Sequence, residues 1–304
     1  MLKRIANSII SSPRSSAGAL TMPELHNSLQ NTSSSLSTKP PTDSSPVSKY
    51  LLIAMTAGPL LLLAILTAIC YLTPLDLVTT RQFFSPNSGN PFPFRETLLA
   101  NLIYDYGPIP AIVFGTVTAL LFLASFVFRS LRTTRKGALF CLLAILIGPG
   151  ILINSVLKPY WGRPRPCDIA AFGGSQTYIP PGTIGPYEMA KSFPSGHASM
   201  GFVFMLPAFL LLRKHSRAAV AVFVIGVLLG GGVGASRIAE GGHFLSDIAW
   251  SGAIVYFTGL ALYVGMYGWA KADTLSLKQA EAPGITIPFP RNQREAEPRE
   301  TSAA

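Results

Sequence analysis

Three short polar segments of this sequence, separated by long apolar stretches, carry side chains that could act together on an anionic group. They contain cations, histidines, one aspartate and a Ser-Gly pair. In chain order these residues are Lys158, Arg165, Ser195, Gly196, His197, Arg237, His243 and Asp247. Lysine supplies a point charge, and arginine supplies a planar fork that fits phosphate oxygens. The set suits phosphoryl transfer, because positive groups stabilise the charge of its transition state.

The two histidines could supply the nucleophile and the proton donor of such a reaction, since one imidazole can attack phosphorus while the other protonates the leaving oxygen. His243 and Asp247 are four residues apart, so they would share a face of a helix that begins near Gly242. The carboxylate would then fix the imidazole tautomer and leave the other nitrogen free to attack. The sequence shows no acidic cluster or multi-histidine ligand set. We therefore expect no metal and no cofactor.

Each segment also has an ordinary structural explanation. Lys158 follows an apolar stretch and could extend its ammonium group to lipid headgroups. Ser195 could simply be the N-cap of the helix that follows, with His197 buried and hydrogen-bonded. His243 and Asp247 could be a surface pair. The combination of all three segments on one side of a membrane favours the anion site.

The composition excludes an ordinary soluble domain. Of 304 residues, 49% are hydrophobic and 12% are charged, whereas soluble proteins carry about 25% charged residues. The net charge of +10 is therefore interpreted first as a signal of membrane orientation and not of nucleic-acid binding. Cys70 and Cys141 lie in apolar stretches and Cys167 lies in a loop, which is neither a disulfide framework nor a CxxC metal site.

The apolar stretches predict an all-α membrane domain of six helices over residues 50–270. A spanning helix needs roughly 20 apolar residues, and five of the six stretches reach that length while the fourth is short. The stretches are 50–72, 109–128, 138–157, 198–212, 218–235 and 248–269. Residues 1–49 and 271–304 are rich in polar residues and proline, so we expect a disordered N-terminal tail and a flexible C-terminal tail.

The basic loops predict the orientation. Segment 129–136 (RSLRTTRK) carries four positive charges and segment 213–217 (RKHSR) carries three, with no acidic residue in either. Positively charged loops stay in the cytoplasm, so these two loops and both termini are predicted to be cytoplasmic. The three chemistry-bearing segments then lie on the outer, periplasmic face. Cations on that face break the positive-inside pattern, and an anionic ligand explains them most simply.

The complete pattern resembles the type 2 phosphatidic acid phosphatase (PAP2) superfamily. The matching motifs, in order, are Lys158-x6-Arg165-Pro166, Pro194-Ser195-Gly196-His197 and Ser236-Arg237-x5-His243-x3-Asp247. The resemblance implies a six-helix membrane enzyme, a phosphoric ester hydrolase that acts on lipid phosphates without a metal through a phosphohistidine. It covers about residues 158–247 by motif and the six spans by layout, but neither tail.

The resemblance also implies a role for each residue of the motifs. His243 becomes the nucleophile, Asp247 the group that orients it, and His197 the general acid. The implied phosphate ligands are Lys158, Arg165, Ser195, Gly196 and Arg237. Arg163 is an additional cation outside the pattern, and we assign it no catalytic role.

The loop sequences CDIAAFGGS and GGHFLSD look like those of the bacterial lipid A phosphatases. This likeness favours lipid A on the periplasmic face of the inner membrane, while undecaprenyl diphosphate, phosphatidylglycerol phosphate and phosphatidate stay open as substrates. Two other classes have similar sites. Vanadate haloperoxidases are soluble and larger, which argues against them here. A non-catalytic anion-binding membrane protein would not require both His197 and His243. The expected partners are the lipid substrate and the bilayer, not nucleic acid.

Overall fold

The structure is a computed structural model that describes residues 49–268. Within that range the chain is helical, without β-strands. The helices are α1 (Lys49–Leu72), α2 (Leu75–Arg81), α3 (Leu98–Tyr106), α4 (Ile109–Val127), α5 (Arg135–Tyr160), α6 (Gly196–Leu211), α7 (Ser216–Ala239) and α8 (Leu245–Tyr267). The two predicted tails lie outside the described residues, apart from Lys49 at the start of α1, and so does the predicted end of the last span at residue 269.

Five helical segments in the described range are long and apolar enough to cross a membrane: Tyr50–Leu72, Leu98–Val127, Arg135–Tyr160, Ser216–Ala239 and Leu245–Tyr267. Helix α6 is apolar but belongs to the shorter class of 10–17 residues. It tightens into a 3₁₀ turn at Val203–Met205, just before Pro207, which has no N–H to donate. These helices confirm the all-α membrane fold, with five full spans and one shorter helix.

Two helix boundaries differ from the prediction. Helix α8 begins at Leu245, not near Gly242, so His243 lies in the turn before the helix and the predicted shared helical face is wrong. Helix α3 was not predicted. It begins where the hydroxyl of Thr97 accepts from the N–H of Ala100 at 3.2 Å, and with α4 it forms a 30-residue apolar segment. At 1.5 Å per residue that segment is about 45 Å long, longer than the roughly 30 Å hydrocarbon core.

Helix α5 changes character on its way to Lys158. Residues Leu146–Leu157 form wider π-helical turns around Pro149, which cannot donate a backbone hydrogen bond. The side-chain amide of Asn154 donates to the carbonyl of Pro149 at 2.7 Å, and Ser155 Oγ donates to the carbonyl of Gly150 at 3.0 Å. Both bonds span five residues. Side chains therefore satisfy carbonyls in this wider segment, and Lys158 follows directly at its end.

Glycines let α7 pack closely against α6 and α8. Gly226, Gly230 and Gly234 are spaced four residues apart along one face of α7. A Cβ on Gly230 would lie 2.3 Å from the ring of Phe202, and one on Gly234 would lie 2.3 Å from a methyl group of Ile248. Such distances exclude a larger residue. This close packing sets the C-terminal end of α7 beside the starts of α6 and α8, where the motif residues lie.

A small aromatic cluster covers the end of the bundle that carries the motifs. Phe92, Phe172 and Phe244 are buried together with Ile169, and the rings of Phe92 and Phe172 meet edge to face at 5.9 Å. Cys167 packs against this cluster, and its backbone N–H donates to the carbonyl of Gly241 at 3.0 Å. The loops 82–97 and 161–195 are thereby fixed over the turn between α7 and α8. The three cysteines of the chain are free thiols.

Candidate active site

The structure brings the three predicted segments together at one end of the bundle. Lys158 ends the π-helical part of α5, and its Nζ would lie 3.4 Å from a Cβ on Gly196. Arg165 and Arg237 are close enough to act electrostatically on both Lys158 and His197. The site therefore combines the ends of α5 and α7 with the start of α6.

Ser195 is the N-cap of α6, as its ordinary explanation predicted. Its side chain accepts from the N–H of Ala198 at 3.4 Å, and Ser195 and Gly196 are buried. This role does not exclude phosphate binding, because the first N–H groups of a helix have no acceptor within it and favour an anion. A Cβ on Gly196 would lie 2.7 Å from Asn154 Oδ1, so only glycine fits where the chain approaches Lys158.

Hydrogen bonds fix the carboxylate of Asp247, whereas His243 forms no hydrogen bond with it. The Oδ2 atom of Asp247 accepts from Ser192 Oγ at 2.7 Å and from the backbone N–H of Phe244 at 2.8 Å. The Nδ1 atom of His243 lies 3.6 Å from the same oxygen, too far for a hydrogen bond, and this buried nitrogen has no hydrogen-bond partner in the described chain. Catalytic hydrogen bonds are often long in substrate-free enzymes and tighten on binding.

His243 is buried, and burial is the main cause that lowers its pKa to about 4. Asp247 raises the pKa of His243, whereas the positive charges of Lys158 and Arg237 lower it further. Its imidazole is consequently neutral at neutral pH. A neutral imidazole has a free lone pair, which is the form that can attack phosphorus. The position of His243 in a turn, rather than on α8, still leaves it next to the carboxylate of Asp247.

Arg237 is buried at the end of α7 and pairs with Glu240 through its Nη1 atom. Glu240 also accepts from Ser236 Oγ at 2.8 Å, which fixes the carboxylate. The Nε atom of Arg237 is buried without a hydrogen-bond partner in the described chain. A Cβ on Gly242 would lie 2.5 Å from Arg237 Nη2, so Gly242 leaves the space that the guanidinium occupies. Arg237 thus keeps a buried donor available for an anion.

Arg163 is the centre of a buried ionic network that its neighbours in the sequence do not indicate. The guanidinium of Arg163 is fully buried and contacts Asp247 Oδ1 at 2.5 Å and Asp76 Oδ2 at 2.8 Å. Its Nε donates to the carbonyl of Ile179 at 2.8 Å. Burial alone would lower the pKa of Arg163, but the carboxylates of Asp247 and Asp76 raise it overall. Arg163 therefore fixes the carboxylate of Asp247, and its guanidinium is directed at carboxylates and a backbone carbonyl.

Asp76 supplies the second carboxylate of this network. It is fully buried on α2, and its carboxylate also accepts from the backbone N–H of Ser246 at 2.9 Å and from the hydroxyl of Ser246 at 2.5 Å. A signal was present in the sequence, because an acidic residue directly after a membrane span needs a partner when it is buried. The pairing itself joins residues 87 positions apart, so only the fold shows it.

Comparison with known proteins identifies the family of this chain. The model of the PAP2 superfamily matches residues 137–271. The lipid A 4'-phosphatase of Francisella tularensis subsp. novicida is 36% identical over 158 residues, which cover 51% of this chain and 70% of that protein. This chain belongs to the PAP2 superfamily. It is a membrane-embedded lipid phosphatase, in agreement with the resemblance described above.

Two further relatives carry the same name. The lipid A 4'-phosphatase of Rhizobium etli is 36% identical over 121 residues (38% of this chain, 46% of that protein), and that of Rhizobium leguminosarum is 37% identical over 120 residues (38% and 50%). Among solved structures, a transmembrane PAP2-type phosphatidylglycerolphosphate phosphatase from Bacillus subtilis is 21% identical. It matches with a TM-score of 0.45, over 70% of this chain and 95% of that one.

Proposed function

We propose that this PAP2 phosphatase removes a phosphate from lipid A at the periplasmic face of the inner membrane. The observation that carries the substrate is the 36% identity to a lipid A 4'-phosphatase over 70% of that protein's length. The same relatives suggest the 4' position for the phosphate that leaves. The cationic site at the end of a membrane bundle supports a lipid phosphate as the substrate class.

In the proposed reaction, Lys158, Arg165 and Arg237 bind the phosphate oxygens together with the first N–H groups of α6. The Nε2 atom of His243 attacks phosphorus, while its Nδ1–H approaches Asp247 Oδ2. Without substrate, burial and then the charges of Arg237 and Lys158 lower the pKa of His197 to about 4, so its imidazole must take up a proton together with the bound phosphate, whose negative charge offsets those cations. The bond from phosphorus to the lipid oxygen then breaks as the protonated His197 donates this proton to that oxygen. The released lipid alcohol and a phosphohistidine result.

Water then completes the cycle. His197, now neutral, accepts a proton from a water molecule that attacks the phosphohistidine. The bond between phosphorus and His243 Nε2 breaks, inorganic phosphate leaves, and both histidines return to their starting forms. Positive side chains stabilise the additional charge of both transition states, so the proposed mechanism needs no metal.

The proposed orientation places the site outside. Segments 129–136 and 213–217 are basic and lie at the opposite ends of α5, α6 and α7 from the site residues. The positive-inside rule then assigns those loops to the cytoplasm. Both termini and the tails 1–49 and 271–304 follow to the cytoplasmic side, and residues 50–270 form the membrane domain.

Mass spectrometry of membrane lipids tests the substrate. Cells that express the protein should contain lipid A with one phosphate fewer than cells that express His243→Asn at an equal membrane level. Fragmentation of the product locates the missing phosphate. Unchanged lipid A together with dephosphorylated undecaprenyl or glycerol lipids would replace lipid A as the substrate and retain the phosphatase.

A single cysteine tests the orientation. Ser175 is exposed in the loop between α5 and α6, and Ser175→Cys is nearly isosteric. In a Cys167→Ser background, an impermeant thiol reagent should label Ser175→Cys in intact cells whose outer membrane is permeabilised. Labelling only after the inner membrane is lysed would reverse the proposed topology.

A further inference from the structure

Helix α3 places one aromatic side chain directly against the site. The ring of Tyr104 stacks on the imidazole of His197, with centroids 4.9 Å apart and planes inclined by 20°. The guanidinium carbon of Arg237 lies 4.7 Å from the centroid of the same ring. One residue of a neighbouring helix therefore contacts two of the site residues.

The position of α3 explains why an aromatic residue suits this place. The 30-residue segment Leu98–Val127 exceeds the hydrocarbon thickness, so α3 extends towards the headgroup layer. Leu98, Leu99 and Leu102 are exposed on α3, as expected for a helix in contact with lipid at that depth. Tyrosine favours such an interface because its ring is apolar and its hydroxyl remains hydrated. Tyr104 is 47% exposed, so its ring lies at the surface of the protein beside His197.

His197 needs an orienting partner of its own. A general acid must hold one N–H towards the protein so that the other nitrogen carries the proton that moves. A stacked aromatic ring restricts the plane of the imidazole in both protonation states. An aromatic face next to an imidazolium stabilises the positive charge through its quadrupole. For His243 the corresponding partner is Asp247, whose carboxylate is fixed by hydrogen bonds from Arg163 and Ser192.

We propose that Tyr104 is a positioning residue for His197, which it holds in the orientation that protonates the leaving lipid oxygen. This inference rests on the proposed role of His197 as the general acid. Tyr104 does not touch the phosphate in this scheme; it acts through the imidazole. The dependence of the rate on the leaving group therefore reports its role, because a poor leaving group requires protonation and a good one does not.

The experiment compares two phosphate esters with the purified full-length protein in detergent. A short-chain alkyl phosphate has a basic leaving group, whereas p-nitrophenyl phosphate has a stable one. For Tyr104→Leu we expect kcat to fall about 10-fold on the alkyl phosphate and less than about 3-fold on p-nitrophenyl phosphate, as part of the roughly 10²–10⁴ that general acid catalysis contributes. Tyr104→Phe retains the ring and should stay within about 2-fold on both esters.

Two controls separate the possible outcomes. Tyr106 lies on the same helix and is exposed, so Tyr106→Leu should leave both rates near those of the unmodified protein. His197→Asn should show the same selective loss as Tyr104→Leu, only larger. Equal losses on both esters, or no loss, for Tyr104→Leu would overturn the inference if His197→Asn is selective. Equal losses for His197→Asn would instead overturn the proposed role of His197.

Discussion

Arg163 should be essential for stability although it lies outside the family motifs. The side chains of Arg163, Asp76 and Asp247 are all fully buried, so each charge depends on the others for compensation. Removing one partner of a buried ion pair typically costs about 3–5 kcal/mol, because an uncompensated charge remains. Arg163→Met has a similar length and no charge. It leaves both carboxylates without their counter-ion, and we expect a loss at the upper end of that range.

Asp76→Asn is the milder change. Arg163 then keeps its contact with Asp247, and the asparagine can still accept one hydrogen bond. We expect a cost of about 2 kcal/mol, typical of one charged hydrogen bond. In the double variant Arg163→Met/Asp76→Asn, one of the two uncompensated carboxylates is gone. The double variant should therefore cost about 2 kcal/mol less than the sum of the single ones.

Thermal unfolding in detergent measures these differences. For a domain of this size, about 1 kcal/mol corresponds to roughly 2–4 °C, so Arg163→Met should lower the Tm by about 10 °C or more. Its kcat should also fall, up to about 100-fold, because Asp247 loses one of its anchors. Ser175→Ala, at an exposed site in the loop between α5 and α6, serves as a control. A Tm within 2–3 °C of the unmodified protein, with additive single and double variants, would refute the coupling.

Three further expectations follow from the site. The pKa of His243 falls from its usual 6.5 to about 4 on folding, so the unfolded chain binds a proton that the folded chain does not, and this group should lower the stability by up to about 3 kcal/mol as the pH drops from 6.5 to 4. In thermal melts His243→Asn should reduce this dependence without abolishing it, because the pKa of His197 is also lowered to about 4, by burial and then by Arg237 and Lys158. Gly242→Ala should displace Arg237 and raise KM about 10-fold in steady-state assays, whereas Gly232→Ala, with open space around it, should not. EDTA should leave the rate unchanged, since side chains supply the positive charge, and a loss that Mg²⁺ restores would disprove this.

Most of the site could be predicted from sequence because its residues follow local rules. Apolar length predicts the spans, and the positions of Lys158, His197 and Arg237 at the ends of those spans already place them near one surface. Ser195 directly before a helix is an N-cap by residue type alone. These inferences need only the chain on either side of each residue.

The missed features depend on contacts between distant parts of the chain. Nothing near Asp76 in the sequence indicates Arg163, and nothing near Tyr104 indicates His197. Helix α3 was overlooked because it continues into an apolar span, and the span alone satisfied the length expected for a bilayer. The predicted start of α8 lies three residues too early. The spacing of His243 and Asp247 fits a continuous helix, but it fits equally well a turn that holds His243 and a first helical turn that holds Asp247.

The charges of the site divide into two parts with different tasks. Within the described residues neither Lys158 nor Arg165 forms an ion pair, and Arg237 shares its charge with Glu240, so these four side chains leave an excess of two positive charges for the proposed phosphate. That excess matches a phosphate dianion. The network of Arg163 with Asp76 and Asp247 has the opposite balance, one negative charge in excess, next to a neutral His243. In the proposed reaction His243 becomes positive when it bonds to phosphorus, and this excess then compensates the new charge. Arg163 lowers the basicity of Asp247 enough to keep the proton on the imidazole, while Asp76 keeps the network negative.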